Sequence, residues 1–237
     1  MAKKKTSTIS VAVRATGALL SNLWIVIPIA GVMGAALTFL DIGIGKMLAP
    51  KAFAGQLGTD QSELIALMLG WWGVVIVLEV LLGPIVVAMS IYTARSHTQG
   101  LPKATLSKAL NFALARYKHI FKWHAAAWLT IQMGMIVLVP GILFLLQYAF
   151  VDSILVLEKE KWPLGRSAKL TRGRRGRIFA LILPWLVLTQ VVGFAELWAL
   201  QQGTGTLFGL MSATYIVNIW VVMALYIFYE DRTQATA

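Results

Sequence analysis

Long apolar runs separated by short polar segments dominate this chain, and the lengths of the runs set the elements they predict. Residues 18–40 form an apolar run long enough to cross a hydrocarbon core of ~30 Å as one α-helix. Within it Ala30, Gly31, Gly34 and Ala35 stand at the small-residue spacing that lets a second helix approach closely. A polar connection follows, where Gly43, Gly45, Pro50, Gly55 and Gly58 oppose helix. Residues 65–93 predict a second span, long enough to tilt or to bend near Gly83-Pro84. Residues 103–122 read differently. Leu106, Ala109, Leu110, Ala113, Leu114, Tyr117, Ile120 and Phe121 recur at helical spacing, while Lys108, Asn111, Lys118, His119 and Lys122 fill the rest of the circumference. That pattern predicts an amphipathic helix lying in the membrane interface.

As one straight helix, the apolar stretch 125–157 would be roughly 50 Å long, well beyond what a bilayer needs. Val139-Pro140-Gly141 at its middle signals a reversal, because proline interrupts the helix and glycine permits the turn. The prediction is a hairpin with arms at 123–139 and 141–157, spanning or re-entrant. A second interfacial helix is expected at 163–173, then spans at 178–200 and 207–229 joined by a short polar turn. Trp71, Trp72, Trp123, Trp162 and Trp198 fall near span ends, where indole suits the head-group layer. The expected fold is therefore all-α and polytopic: one membrane domain over residues 1–237, with about six helices in three hairpins.

Composition agrees. The chain has 237 residues, 58% of them hydrophobic and 13% charged, with a mean hydropathy of +0.74. A soluble domain of this size could not bury so much apolar surface. The opening Met-Ala-Lys-Lys-Lys looks like the start of a signal peptide, yet the following apolar run is too long for one and reads as a retained anchor. There is no cysteine, which excludes disulfides, thiolate catalysis and cysteine-held metals.

Charge then sets the orientation. The net charge of +11 would suggest nucleic acid in a soluble protein; here it reads as a topology signal and a grip on anionic head groups, with no nucleic-acid partner expected. With the hairpin, nineteen basic residues fall on one side against two, Lys46 and Lys51, on the other. With a single crossing there, ten would face eleven. Because short Lys- and Arg-rich loops stay cytoplasmic, the hairpin is preferred and both termini are expected in the cytoplasm of a bacterial cell.

Few residues carry candidate chemistry. Glu79, Asp152 and Glu196 lie in apolar stretches, where a charge costs about 2.5–3.5 kcal/mol on insertion scales. Each is a candidate intramembrane polar site together with His124, and Glu79 has His124, Gln132, Gln190 or Asn218 as expected cross-helix partners. Asp152 and Glu196 also admit a bland reading, in which they reach the interface and pair with basic side chains. Lys108, Lys118, Lys122, Arg166, Lys169, Arg172, Arg174, Arg175 and Arg177 are the candidate lipid head-group ligands. Five residues separate His119 from His124, a poor spacing for one helix face, so no metal site is expected. No G-x-S-x-G motif or Walker or Rossmann glycine loop is present, and no catalytic residue or cofactor is assigned.

From Ile136 onward a diffuse pattern recurs: Val139-Pro140-Gly141, then Ile154-Leu155-Val156-Leu157-Glu158, then Leu164, Arg166-Ser167, Leu170 and Gly173 leading into Ile178-Phe179. It resembles the YciC-like bacterial membrane proteins and the membrane domain that accompanies some glycerophosphoryl diester phosphodiesterases. The earlier stretch 100–114 is similar to that family's basic helix before the hairpin, so the likeness covers roughly two-thirds of the chain. Gly165 departs from it, since the family usually has alanine there. Nothing resembles the soluble phosphodiesterase domain, so the likeness implies the membrane module alone and brings no hydrolase activity. The expectation is a non-enzymatic membrane protein that binds anionic lipid or a membrane-protein partner in envelope or lipid homeostasis. The alternative is a small-solute or ion transporter or channel using the intramembrane acids.

Overall fold

In a computed structural model, residues 7–48, 61–158 and 160–234 are described, and among them every regular element is an α-helix. Lys3, Lys4, Lys5, Pro50, Lys51, Gly55, Gly58 and Lys159 lie outside the described residues, as do the side chains of Trp71 and Glu196.

Helix α1, Thr8–Ser21, starts where the Ser7 hydroxyl accepts the Ser10 N–H at 3.0 Å, which satisfies one of the orphan donors of a first turn. It ends at Asn22, whose side-chain amide donates to the Ala18 carbonyl at 2.8 Å. Helix α2, Leu23–Leu48, follows at once. The first apolar run expected at 18–40 is thus displaced, because Asn22 interrupts the backbone and the helix then continues past Asp41. Helix α3, Gln61–Thr98, carries Pro84 inside it and is not ended by it.

The largest departure from the expected elements comes next. Helix α4, Leu106–Met135, is one continuous helix of 30 residues, so the interfacial helix at 103–122 and the hairpin arm at 123–139 are a single rod. The junction contains Ala125, Ala126 and Ala127, the strongest helix formers, and nothing that would break it. Ala109 and Ala113 are fully buried, and α4 packs along α3, where the Tyr92 and Phe112 rings meet at 4.9 Å and Tyr117 donates to the Leu81 carbonyl at 3.0 Å.

The chain does double back, but at 136–138 rather than at the Pro140-Gly141 step. Leu138 takes φ of 59° and ψ of −62°, and the Val139 N–H donates to the Val137 carbonyl at 2.7 Å, which is the rare, strained form of γ-turn. Pro140 instead sits in the first turn of α5, Val139–Gln147, where its missing N–H is no loss. Gly141 lets α5 lie against α4, since a Cβ there would fall 2.5 Å from the Met135 nitrogen. The second arm, expected at 141–157, is divided into α5 and α6, Val151–Leu157. Ser167 closes that break: its hydroxyl donates to the Gln147 carbonyl at 2.8 Å and accepts the Phe150 N–H at 3.2 Å. Ser167 lies on α7, Pro163–Thr171.

Gly173, with φ of 75°, turns the chain into α8, Arg175–Gln202, and Gly203, with φ of 112°, turns it into α9, Thr204–Gln234. Helix α9 packs against α1, α2, α3, α6 and α8 and buries Met211, Tyr215, Ile219, Met223, Tyr226 and Ile227. Five stretches are long and apolar enough to cross a membrane: Leu23–Ile44, Val75–Thr98, Val139–Leu157, Arg175–Val192 and Thr204–Gln234. Their outward side chains are apolar too, Phe39 being 82% exposed and Val32, Val77 and Val191 exposed with it. Such surface is stable against lipid and not against water. The chain is an all-α, polytopic integral membrane protein.

Candidate functional site

Two sets of polar residues stand out against this apolar frame. The first lies inside it. Glu79 of α3 faces Tyr215 of α9, whose hydroxyl donates to Glu79 Oε1 at 2.5 Å. One turn on, Gly83 leaves room for the His124 ring of α4; a Cβ at Gly83 would lie 2.8 Å from His124 Nε2 and 3.1 Å from Glu79 Oε2. His124 Nδ1 is 2.7 Å from Asp152 Oδ1 of α6. The Asp152 carboxylate accepts the Nδ1–H of the imidazole. Nε2 is buried and has no hydrogen-bond partner among the described residues. The ion pair is asymmetric in burial, with 5% of the His124 side chain exposed against 32% of Asp152.

These groups open onto a cavity of about 140 Å³ that is also lined by Trp128, Gln132, Tyr148, Trp185 and Asn218. It has room for several waters or a small head group, and is below the ~300 Å³ of a drug-sized pocket. Gln132 is oriented by the Trp72 indole N–H, which donates to its Oε1 at 3.0 Å.

Of the four expected intramembrane candidates, Glu79, His124 and Asp152 therefore converge from three helices, while the Glu196 side chain lies outside the described residues. Among the expected partners of Glu79, His124 lies beside it, Gln132 and Asn218 share its cavity, and Gln190 is exposed elsewhere. Sequence reasoning missed Tyr215. The available signal was its i, i+3 spacing with Asn218, which puts both polar tips on one face of α9. The other two histidines are apart from the cluster: His97 Nδ1 meets the Ser21 hydroxyl at 3.0 Å, and His119 is exposed.

The second set rings one end of the bundle. There the last turns of α9 tie several elements together. Asp231 pairs with Arg14 of α1, and Glu230 accepts from Thr98 at 3.1 Å and Gln99 at 2.7 Å. Tyr229 donates to Glu158, which also holds Arg166 of α7 at 3.5 Å. Arg14, the end of α3 and the start of α7 thus share one end of the molecule. The Trp123 and Trp162 rings meet edge to face at 5.6 Å, bringing α7 beside α4 at Lys122. Gly165 has its reason here, because a Cβ on it would collide with the Trp162 indole.

The candidate lipid ligands differ in exposure. Lys108, Lys118, Lys122, Lys169, Arg172 and Arg175 are exposed, Arg174 and Arg177 are half-buried, and Arg166 is engaged with Glu158. Exposed Leu106, Leu110 and Leu114 run beside the α4 lysines, and exposed Trp162 stands near Lys122. Apolar side chains alternating with cations in this way suit the boundary between head groups and acyl chains. Comparison of the chain with family models, with curated proteins and with solved structures finds no match.

Proposed function

We propose that this chain is a non-enzymatic, multi-pass protein of a bacterial cytoplasmic membrane, with both termini cytoplasmic. Its basic rim grips anionic lipid head groups, or docks a partner protein through them, in envelope or lipid homeostasis. The observation that carries the reading is the exposure of Lys118, Lys122, Lys169, Arg172 and Arg175, with exposed leucines along α4 and exposed Trp162 near Lys122. Membership of the YciC-like group belongs to the same proposal. It is supported by the proximity of Glu158, Arg166 and Ser167, three residues of the resembling pattern, at the start of α7.

Replacing Lys169, Arg172 and Arg175 together by glutamine tests it. At about 1 kcal/mol per cation near an anionic surface, the triple variant should lose on the order of a hundredfold in preference for phosphatidylglycerol over phosphatidylcholine. The readout is the lipid retained by, and the thermal stabilisation of, the detergent-purified protein. An unchanged lipid preference counts against the proposal.

The cavity at Glu79 favours a second reading, passage of a small solute or ion. Proteoliposome flux comparing the wild type with Glu79→Gln tests it: transport through the cavity requires a flux that the variant lacks.

A further inference from the structure

We propose that the cavity at Glu79 is a binding site for an ammonium group, carried either by a small amine or by the head group of an amine-bearing lipid. The proposal deepens the second reading above, but it requires binding only and no flux.

The donor and acceptor inventory of the walls argues for a cationic donor. Glu79 has one oxygen satisfied by Tyr215, and Asp152 has one satisfied by His124. His124 Nε2, in the same wall, has no hydrogen-bond partner among the described residues. Two carboxylates on residues lining one cavity offer acceptor oxygens to the N–H groups of a primary ammonium. The charges agree, since among the described lining residues two carboxylates face one imidazole and the phenol of Tyr148, with Tyr215 beside Glu79.

The remaining walls suit the same ligand. Trp128, Tyr148 and Trp185 supply aromatic faces, which attract an organic cation and most strongly in a water-poor site. An anion would face the carboxylates, and a bare metal ion would make no use of the aromatic walls beyond its charge. The volume of about 140 Å³ admits a head group of a few heavy atoms. The cavity is walled in part by α4 and α8, whose outer faces expose Leu129, Leu183 and Val187.

Calorimetric titration of the full-length protein in detergent, with methylammonium chloride against sodium chloride at matched ionic strength, tests the site. Saturable binding of methylammonium without a matching sodium isotherm is expected. Glu79→Gln and Trp185→Leu should each weaken it roughly tenfold, with Lys46→Gln, at the far end of α2, unchanged. If Glu79→Gln does not fold, Trp185→Leu decides, because it removes an aromatic face and no charge.

Repeating the titration in phosphatidylglycerol nanodiscs with and without phosphatidylethanolamine identifies the source. Competition by the ethanolamine lipid assigns the site to a head group, and its absence assigns it to a free amine. Equal isotherms for sodium and methylammonium, or wild-type binding by a folded Trp185→Leu protein, would overturn the proposal. Binding without flux would leave the site standing and retire transport.

Discussion

Single side chains hold the least regular parts of this protein together. Ser167 is fully buried and stitches the break between α5 and α6 through two backbone groups. Ser167→Ala would leave the Gln147 carbonyl and the Phe150 N–H without that hydroxyl, at a cost of about 1–3 kcal/mol. Thermal unfolding in detergent should show the loss, and an unchanged midpoint would mean the break is held by packing alone. Tyr215→Phe removes the one hydroxyl that Glu79 Oε1 accepts from. Measured hydrogen bonds within membranes average about 0.6 kcal/mol and reach about 1.7, so a small but resolvable fall in midpoint is expected, with no loss of fold. The acids and His124 were legible in the sequence because a charge in an apolar run is expensive and therefore conspicuous. Tyr215 was not, because a tyrosine in such a run is ordinary until a partner across the bundle is known.

Between helices, the small-residue stretch of α2 shows how far spacing alone can be read. Gly34 does what the spacing suggests: a Cβ there would lie 2.9 Å from the Ser212 nitrogen and 3.0 Å from its Cα on α9, so the two backbones touch. Gly31 faces open space. Gly34→Ala should therefore cost about 1–3 kcal/mol by forcing α2 and α9 apart, whereas Gly31→Ala should be neutral or slightly stabilising. Equal effects of the two substitutions in a thermal shift assay would contradict the observed packing. The pattern predicted a close approach but gave no register, because spacing does not say which turn of which partner fills the groove. The continuity of α4 was hidden for a related reason. Its first half is charged and its second apolar, so composition suggested two elements where Ala109 and Ala113 pack one rod against α3.

For the molecule as a whole, sidedness follows from what the end of α9 touches. Arg14 and Arg166, more than a hundred and fifty positions apart in the numbering, both lie against residues 229–231 or their immediate partner Glu158. Because the chain has no cysteine, a single introduced thiol is a clean label. Ser10→Cys and Lys169→Cys should react with an impermeant maleimide from the same side of the membrane, and Lys46→Cys, at the far end of α2, from the other. A Lys169 thiol that labels with Lys46 would remove the proposed basic rim. Charge counting predicts that the basic segments gather on one side; hydrogen bonds and ion pairs at the α9 terminus tie Arg14, the end of α3 and Arg166 to one end of the molecule.

The central position of α9 also bears on biosynthesis. The ribosome releases this helix after every other one described, so α2, α3 and α8 enter the bilayer before their common neighbour exists. Until then Glu79 has no Tyr215, and the groove at Gly34 stands empty. A nascent chain stalled before Thr204 would be a natural client for membrane chaperones and quality-control proteases.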